Sequence, residues 1–228
     1  MLKRIKYLLF PEKCAACGKI VRIIPLCQNC FDELCESIET VCSVCGKSVG
    51  DCECIKLKGI KMHFIPFWYK GTALRRCIYR LKISNYRSNT EFFAGIICND
   101  IKIRLGEIEV SDMFDVITYV PRSLEQKNKF GIDQSEFLAK CISEKLSIPC
   151  ERLLVRVGGK QQKSLRSQDR IENVKGSFAP TEKCTKYKKV LHVDDIVTTG
   201  ATVTRCTEML KMAGVKTVSV AAIAKTVF

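Results

Sequence analysis

No stretch of this 228-residue chain approaches the roughly 18 apolar residues that a membrane-spanning helix needs, so no helical span is expected and membrane insertion is excluded. The first ten residues, Met1 to Phe10, are basic and then apolar for only four positions, with no small-residue cleavage site behind them. That core is too short for a secretion signal, and a cytoplasmic location is the expectation. Neither a G-x-G-x-x-G nor a Walker-A pattern occurs, which removes the dinucleotide-fold and P-loop readings. Acidic residues are missing altogether between Lys70 and Arg87, where six basic ones stand.

Cysteine is the opposite case. There are fifteen, and nine of them fall between Cys14 and Cys54. A disulfide scaffold would be short and secreted, and this chain looks like neither. The cysteines come as pairs: Cys14/Cys17 and Cys42/Cys45, each read C-x-x-C-G, then Cys27/Cys30 as C-x-x-C and Cys52/Cys54 as C-x-C. Nine, eleven and six residues separate successive pairs. Loops this short close tetrahedral four-thiolate sites at small entropic cost. A segment of this size with few large apolar side chains needs metal to fold. The reading is a double zinc ribbon over residues 1–58, with one or two structural Zn²⁺; an iron–sulfur cluster also uses four cysteines and stays open. A closed four-sulfur site has no open position, so no catalysis is expected there. Cys35 stands outside the pairing, in a run from Phe31 to Ile38 that reads as a short helix.

The formal charge is +14, unevenly spread. Residues 1–58 carry nine Lys/Arg against seven Asp/Glu, the remainder 29 against 17. Eight thiolates on two Zn²⁺ would subtract roughly four more units from the cysteine segment. The positive field therefore belongs to residues 59–228 and suits a polyanionic ligand or a nucleic acid.

That second part is expected to be α/β. Ile60 to Tyr69, Asp115 to Val120, Tyr187 to Val193 and Thr217 to Ala224 read as strands. A helix opening at Gly71-Thr72 places Leu74, Cys77, Ile78 and Leu81 on one face and Arg75, Arg76, Arg80 and Lys82 on the other; a second runs from about Gln134 to Leu146. The basic face is either a solvated surface or a contact for nucleic-acid phosphates, with Tyr79 and Tyr86 available for stacking. The alternation of strands and helices argues for a right-handed, mostly parallel sheet flanked by helices. Ligands gather at the carboxyl ends of such strands, where Pro121-Arg122, Lys127 and Lys129 fall. Residues 156–170, rich in Gly, Gln, Lys and Arg, read as a mobile hood.

The most informative segment is Val190 to Thr202. An apolar run delivers Asp194 and Asp195; Thr198-Thr199-Gly200 follows, and then an amphipathic helix with Val203, Cys206, Leu210 and Ala213 on its inner side. Free N–H groups and the positive helix end make such a turn an anion cradle, and Gly200 admits a close backbone approach. Phosphate donors beside carboxylate acceptors for a diol fit a sugar phosphate. The run Val193 to Thr202 resembles the phosphoribosyl pyrophosphate (PRPP) loop of the type I phosphoribosyltransferases. The resemblance implies that Asp194 and Asp195 hold the ribose hydroxyls and serve catalysis. It further implies that Thr198, Thr199, Gly200, Ala201 and Thr202 hold the 5′-phosphate, that Arg122 pairs with pyrophosphate, and that Mg²⁺ arrives with PRPP.

Wider features narrow the resemblance. Leu9-Phe10-Pro11 before the first knuckle, the four cysteine pairs, Leu81-Lys82, Val120-Pro121, Gln162, Leu165, Arg170, Asn173 and Gly176 to Phe178 together resemble the ComF family. Where that family reads Arg-Gly-Phe-Asn-Gln, this chain has Phe130-Gly131-Ile132-Asp133-Gln134. His192 stands where the family has an apolar residue and is expected to be a satisfied strand histidine. The family joins a zinc ribbon to a phosphoribosyltransferase-like domain, here 1–58 and 59–228. It is tied to handling of incoming single-stranded DNA in natural transformation, which implies single-stranded DNA and a helicase-like competence protein as partners. Whether phosphoribosyl transfer occurs is left open, as are the acceptor and the oligomeric state. The alternative is a nucleobase salvage phosphoribosyltransferase that releases pyrophosphate from Mg²⁺–PRPP.

Overall fold

A parallel sheet with strand order β1/β2–β7–β6–β3 organises the chain. The structure, a computed structural model, describes residues 13–21, 25–36, 45, 47, 51–52, 54, 57–83, 87–122, 133–157 and 178–226. Within these, α1 is Gln28–Glu36, β1 His63–Phe64, β2 Phe67–Trp68, α2 Thr72–Ile83, α3 Arg87–Leu105, α4 Val110–Met113 and β3 Val116–Tyr119. There follow α5 Gln134–Leu146, β4 Leu154–Arg156, β5 Phe178–Pro180, a 3₁₀ turn Glu182–Lys186, β6 Lys189–Val197, α6 Ala201–Met212 and β7 Thr217–Lys225.

The pleat sorts the apolar residues of the central strands to two faces. Leu191, Val193, Ala221, Ile223, Ile117 and Tyr119 pack with α2, α3 and α5. Val190, Val218, Val116 and Val120 pack with Cys206, Met209 and Leu210 of α6 on the other side. A sheet covered on both faces explains why β6 and β7 read as nearly unbroken apolar runs. β4 and β5 form a separate antiparallel ribbon, and most of the hood segment lies outside the described residues.

Several sequence readings change in detail. The strand expected over Ile60 to Tyr69 is two short ones, β1 opposite Val220–Ala221 and β2 opposite Ala224–Lys225. Ile65-Pro66 separates them, and proline has no N–H for a ladder. The strand expected to end at Val193 continues to Val197, because β7 offers partners as far as Lys225. Asp194 and Asp195 therefore sit inside the strand rather than in the loop after it. Helix α3 had no sequence-level signal: Phe93, Ile97, Ile101 and Leu105 are buried, but Phe92, Ile96 and Ile103 blur the period on its flanks. By contrast α2 and α5 fall where their spacing placed them, with Leu74, Cys77, Ile78, Leu81, Leu138, Cys141 and Ile142 all buried.

The first cysteine knuckle is built onto α2. Cys14, Ala15, Ala16, Leu26, Cys30 and Leu34 share one core with Leu74, Ile78 and Leu81. The Glu33 carboxylate of α1 accepts the amides of Thr72 and Ala73, each at 2.9 Å, and so caps α2 from outside its own sequence. Arg80 donates back to the Cys14 carbonyl at 2.9 Å. Among the described residues no helix is long and apolar enough to cross a membrane.

Candidate functional site

Strand β6, the turn Thr198–Gly200 and the start of α6 place the acidic pair beside a turn that ends on a helix N-terminus. Gly200 has φ +75°, the left-handed region that glycine adopts without strain, and it is the N-cap of α6. Thr198 and Thr199 are exposed. The Thr199 hydroxyl accepts the Ala201 amide at 3.3 Å; the other first-turn amides of the helix have no acceptor within it. From the neighbouring strand end, Thr226 donates its hydroxyl to the Thr198 carbonyl at 3.2 Å and its amide to Val197. The turn is thus braced by the residue that follows β7.

The two carboxylates are held differently. Asp194 Oδ1 accepts the Asp195 amide at 2.8 Å and the Ser135 hydroxyl at 3.1 Å. Asp195 Oδ1 accepts the Ile196 amide at 2.8 Å, while its Oδ2 lies 3.3 Å from the Lys82 ammonium at the end of α2. Burial, and then the charge of Asp195, push the Asp194 carboxyl up to about 8; the Asp195 amide, Ser135 and Lys82 pull weakly the other way. A protonated Asp194 carboxyl can donate to a hydroxyl as well as accept from one.

This shift has a signed consequence. Folded Asp194 keeps its proton up to about 8, whereas the unfolded chain releases it in the ordinary carboxylate range. The folded state binds more protons between these limits, so its stability falls as pH rises through that window. The melting temperature is expected to fall between about pH 5 and about pH 8, and Asp194→Asn is expected to flatten that fall. An unchanged slope in the variant would assign the dependence to other groups.

Lys82, Gln134 and Ser135 are the site residues that spacing alone missed. Leu81-Lys82 was marked only by resemblance, and nothing local shows that α2 ends against β6. Gln134 Nε2 donates to the Lys82 carbonyl at 3.1 Å, which ties the end of α2 to the start of α5. Asp133, a departure from the family pattern, is the N-cap of α5. It accepts the amides of Glu136 and Arg122, the latter at 3.0 Å, and so holds the chain after β3 against α5. The backbone of Arg122 is tied through Asp133 to the start of α5, next to the Gln134 that meets Lys82; Lys127 and Lys129 lie outside the described residues. His192 is corrected: it is fully buried, and neither ring nitrogen has a hydrogen-bond partner among the described residues. Burial pushes its imidazole down to about 3, so it is neutral.

The cysteine pairs resolve into two groups. The sulfurs of Cys14, Cys17, Cys27 and Cys30 all lie within 4.8 Å of one another, a spacing that a single tetrahedral ion spans. The Cys17 amide points at Cys14 Sγ from 3.5 Å, as in a metal knuckle. Burial opposes ionisation of Cys14, but the amides of Cys17, Cys27 and Ala16 outweigh it and hold the thiol down to about 6. Burial and the adjacent sulfurs push Cys30 up. Four sulfurs crowded at the spacing of one tetrahedral ion form a donor set that fits structural zinc. Cys45, Cys52 and Cys54 converge in the same way; Cys42 lies outside the described residues.

Residues 132–226, from α5 to the end of β7, match the phosphoribosyl transferase domain family. The carboxyl-terminal part of the chain is therefore similar to phosphoribosyl transferase domains. Over 226 residues the chain is 25% identical to Competence protein F of Haemophilus influenzae, covering 93% of this chain and 90% of that one. With its cysteine clusters ahead of the matched residues, the chain is similar in layout to that competence protein along nearly its whole length. Two solved structures are also similar, the allosteric regulatory enzyme of purine biosynthesis and the B. subtilis glutamine PRPP amidotransferase complexed with ADP and GMP. Each is 20% identical, with a TM-score of 0.40 over 64% of this chain and 30% of the other. The chain thus spans less than a third of the length of those two.

Proposed function

We propose that this chain is a PRPP-binding protein of the competence type, which holds Mg²⁺–PRPP at the end of β6 and single-stranded DNA on the basic face of α2. The observation that carries the first half is the sequence of parts along β6 and α6: a hydrogen-bonded acidic pair, a left-handed Gly200 and a helix N-terminus. In this reading the two carboxylates take the ribose 2′ and 3′ hydroxyls, while Thr198 to Thr202 take the 5′-phosphate. Arg122 faces the pyrophosphate. The Mg²⁺ rides on substrate oxygens and water. Residues 1–58 form a zinc-dependent module whose first knuckle carries α2. The chain works in the cytoplasm with a helicase-like partner.

The DNA half is supported by exposure. Arg75, Arg76 and Tyr79 all face solvent, and Tyr79 is 62% exposed. Lys82 continues that face to the acidic pair. Guanidinium groups beside an exposed ring suit a phosphate-tracking, base-stacking surface. The transfer reaction would pass through an oxocarbenium-like state at C1 of the ribose, which Asp194 and Asp195 would stabilise.

Calorimetry with Mg²⁺–PRPP tests the site; no heat of binding from the wild-type protein sinks the reading. Pyrophosphate release assayed against nucleobases and single-stranded DNA separates an enzyme from a sensor, and rapid base-selective release would favour salvage. Substituting both Arg75 and Arg76 with alanine is expected to lower the slope of log affinity against log salt for single strands by about 1.4, at about 0.7 per phosphate contact. An unchanged slope would move the DNA elsewhere on the surface.

A further inference from the structure

Lys225 ends strand β7 and is 1% exposed. A buried ammonium survives only where acceptors surround it. Its Nζ donates to the Cys52 carbonyl at 3.0 Å, lies 4.9 Å from the centroid of the Trp68 ring and stands 3.5 Å from His63 Nε2. Cys52 belongs to the second cysteine cluster, with Cys45 and Cys54. The carbonyl that receives Lys225 is therefore placed by the backbone of the second cysteine cluster.

The main chain of Lys225 faces the other way. It pairs with Val197, the last residue of β6, and its carbonyl accepts the Tyr69 amide at 2.7 Å. The next residue, Thr226, donates to the carbonyls of Val197 at 3.0 Å and Thr198 at 3.2 Å. One side chain and one peptide link separate the cysteine cluster from the turn of the candidate phosphate site. A second tie runs alongside: Arg104 reaches Asp51 at 3.5 Å and the His63 carbonyl at 2.6 Å.

We propose that Lys225 is a positioning residue, through which the state of the second cysteine cluster sets the order of the Thr198–Gly200 turn. The inference deepens the PRPP reading, since that turn is its phosphate cradle. While the cluster is closed, the Cys52 carbonyl fixes the ammonium, and with it the end of β7 and Thr226. When the cluster opens, a buried charge loses an acceptor. Resolvation requires the side chain to swing outward, which draws the end of β7 away from Val197 and Thr198.

Amide hydrogen exchange on the full, zinc-loaded chain tests this. Cys54→Ser opens the cluster without replacing Cys52. It is expected to speed exchange across residues 198–203 by about tenfold while leaving 134–146 in α5 unchanged. Lys225→Met is expected to do the same, and adding Cys54→Ser to it is expected to add nothing. Wild-type exchange in the turn of Cys54→Ser, additive effects in the double variant, or equal acceleration in α5 would each overturn the proposal. If the variants do not fold, exchange in the wild type before and after zinc extraction decides it by the same criterion. A wild-type protein that shows this coupling but takes up no Mg²⁺–PRPP would refute the PRPP reading alone.

Discussion

Asp195→Ala is expected to weaken Mg²⁺–PRPP binding by about a hundredfold, because a ribose hydroxyl loses a charged acceptor worth roughly 1.5–3 kcal/mol. The residue is well placed for that effect. Its side chain is 17% exposed, its Oδ1 is anchored by the Ile196 amide, and the Lys82 ammonium stands beside its Oδ2. A hydroxyl arriving there meets a fixed acceptor rather than one that must first be ordered. Asp194 does not take over, since burial, the first cause of its raised affinity for a proton, is left in place by the substitution. Lys82 is 40% exposed and would be freed to meet a phosphate, which offsets part of the loss. Asp195→Asn keeps the shape and one acceptor oxygen, so it is expected to fall between the two. Calorimetry on the three proteins gives the comparison, and equal affinity in wild type and Asp195→Ala would remove the acidic pair from the binding site.

Loss of the first cysteine cluster is expected to cost more in stability than any other single change. Cys14 is fully buried and Cys30 is 8% exposed, and both belong to the core that α2 shares. Cys30→Ser leaves three sulfurs, a weaker site and a hydroxyl inside that core. Structural zinc contributes about 10–16 kcal/mol in small modules. Forfeiting even about 5 kcal/mol of it lowers the melting temperature of a chain of this size by roughly 10–20 °C. A chelator should reproduce the shift on the wild-type protein. Because Glu33 caps α2 and Arg80 holds Cys14, circular dichroism should report loss of α2 along with the knuckle. Melting curves indifferent to both the chelator and the substitution would show that the sulfurs hold no structural metal.

Much of this was legible before any fold was known, for an identifiable reason. The cradle is local: Asp194, Asp195, the Thr/Gly turn and the start of α6 lie within nine residues, so their geometry follows from strand, turn and helix rules. The cysteine pairs are local in the same sense, and short loops left few ways to group them. Helix α3 was not legible, because its buried residues are framed by apolar neighbours and the 3.6-residue period is lost. The proline break between β1 and β2 shows only once β7 demands ladder partners. His192 was misjudged for a related reason, since a strand position cannot say whether a ring nitrogen will find a partner across the sheet.

The sequence by itself determined the α/β class, the acidic pair with the Thr/Gly turn after it, and the clustering of the cysteine pairs. Each depends on residues close together in the chain, where backbone geometry leaves little choice. Only the tertiary structure decided that Lys82 meets Asp195, that Ser135 meets Asp194, that Glu33 caps α2 and that Lys225 joins a cysteine knuckle to the turn. These contacts span 39 to 173 residues. At that separation no local preference operates; the partners meet because burial of the sheet brings their elements together, and charge and hydrogen bonding then select which groups can remain there.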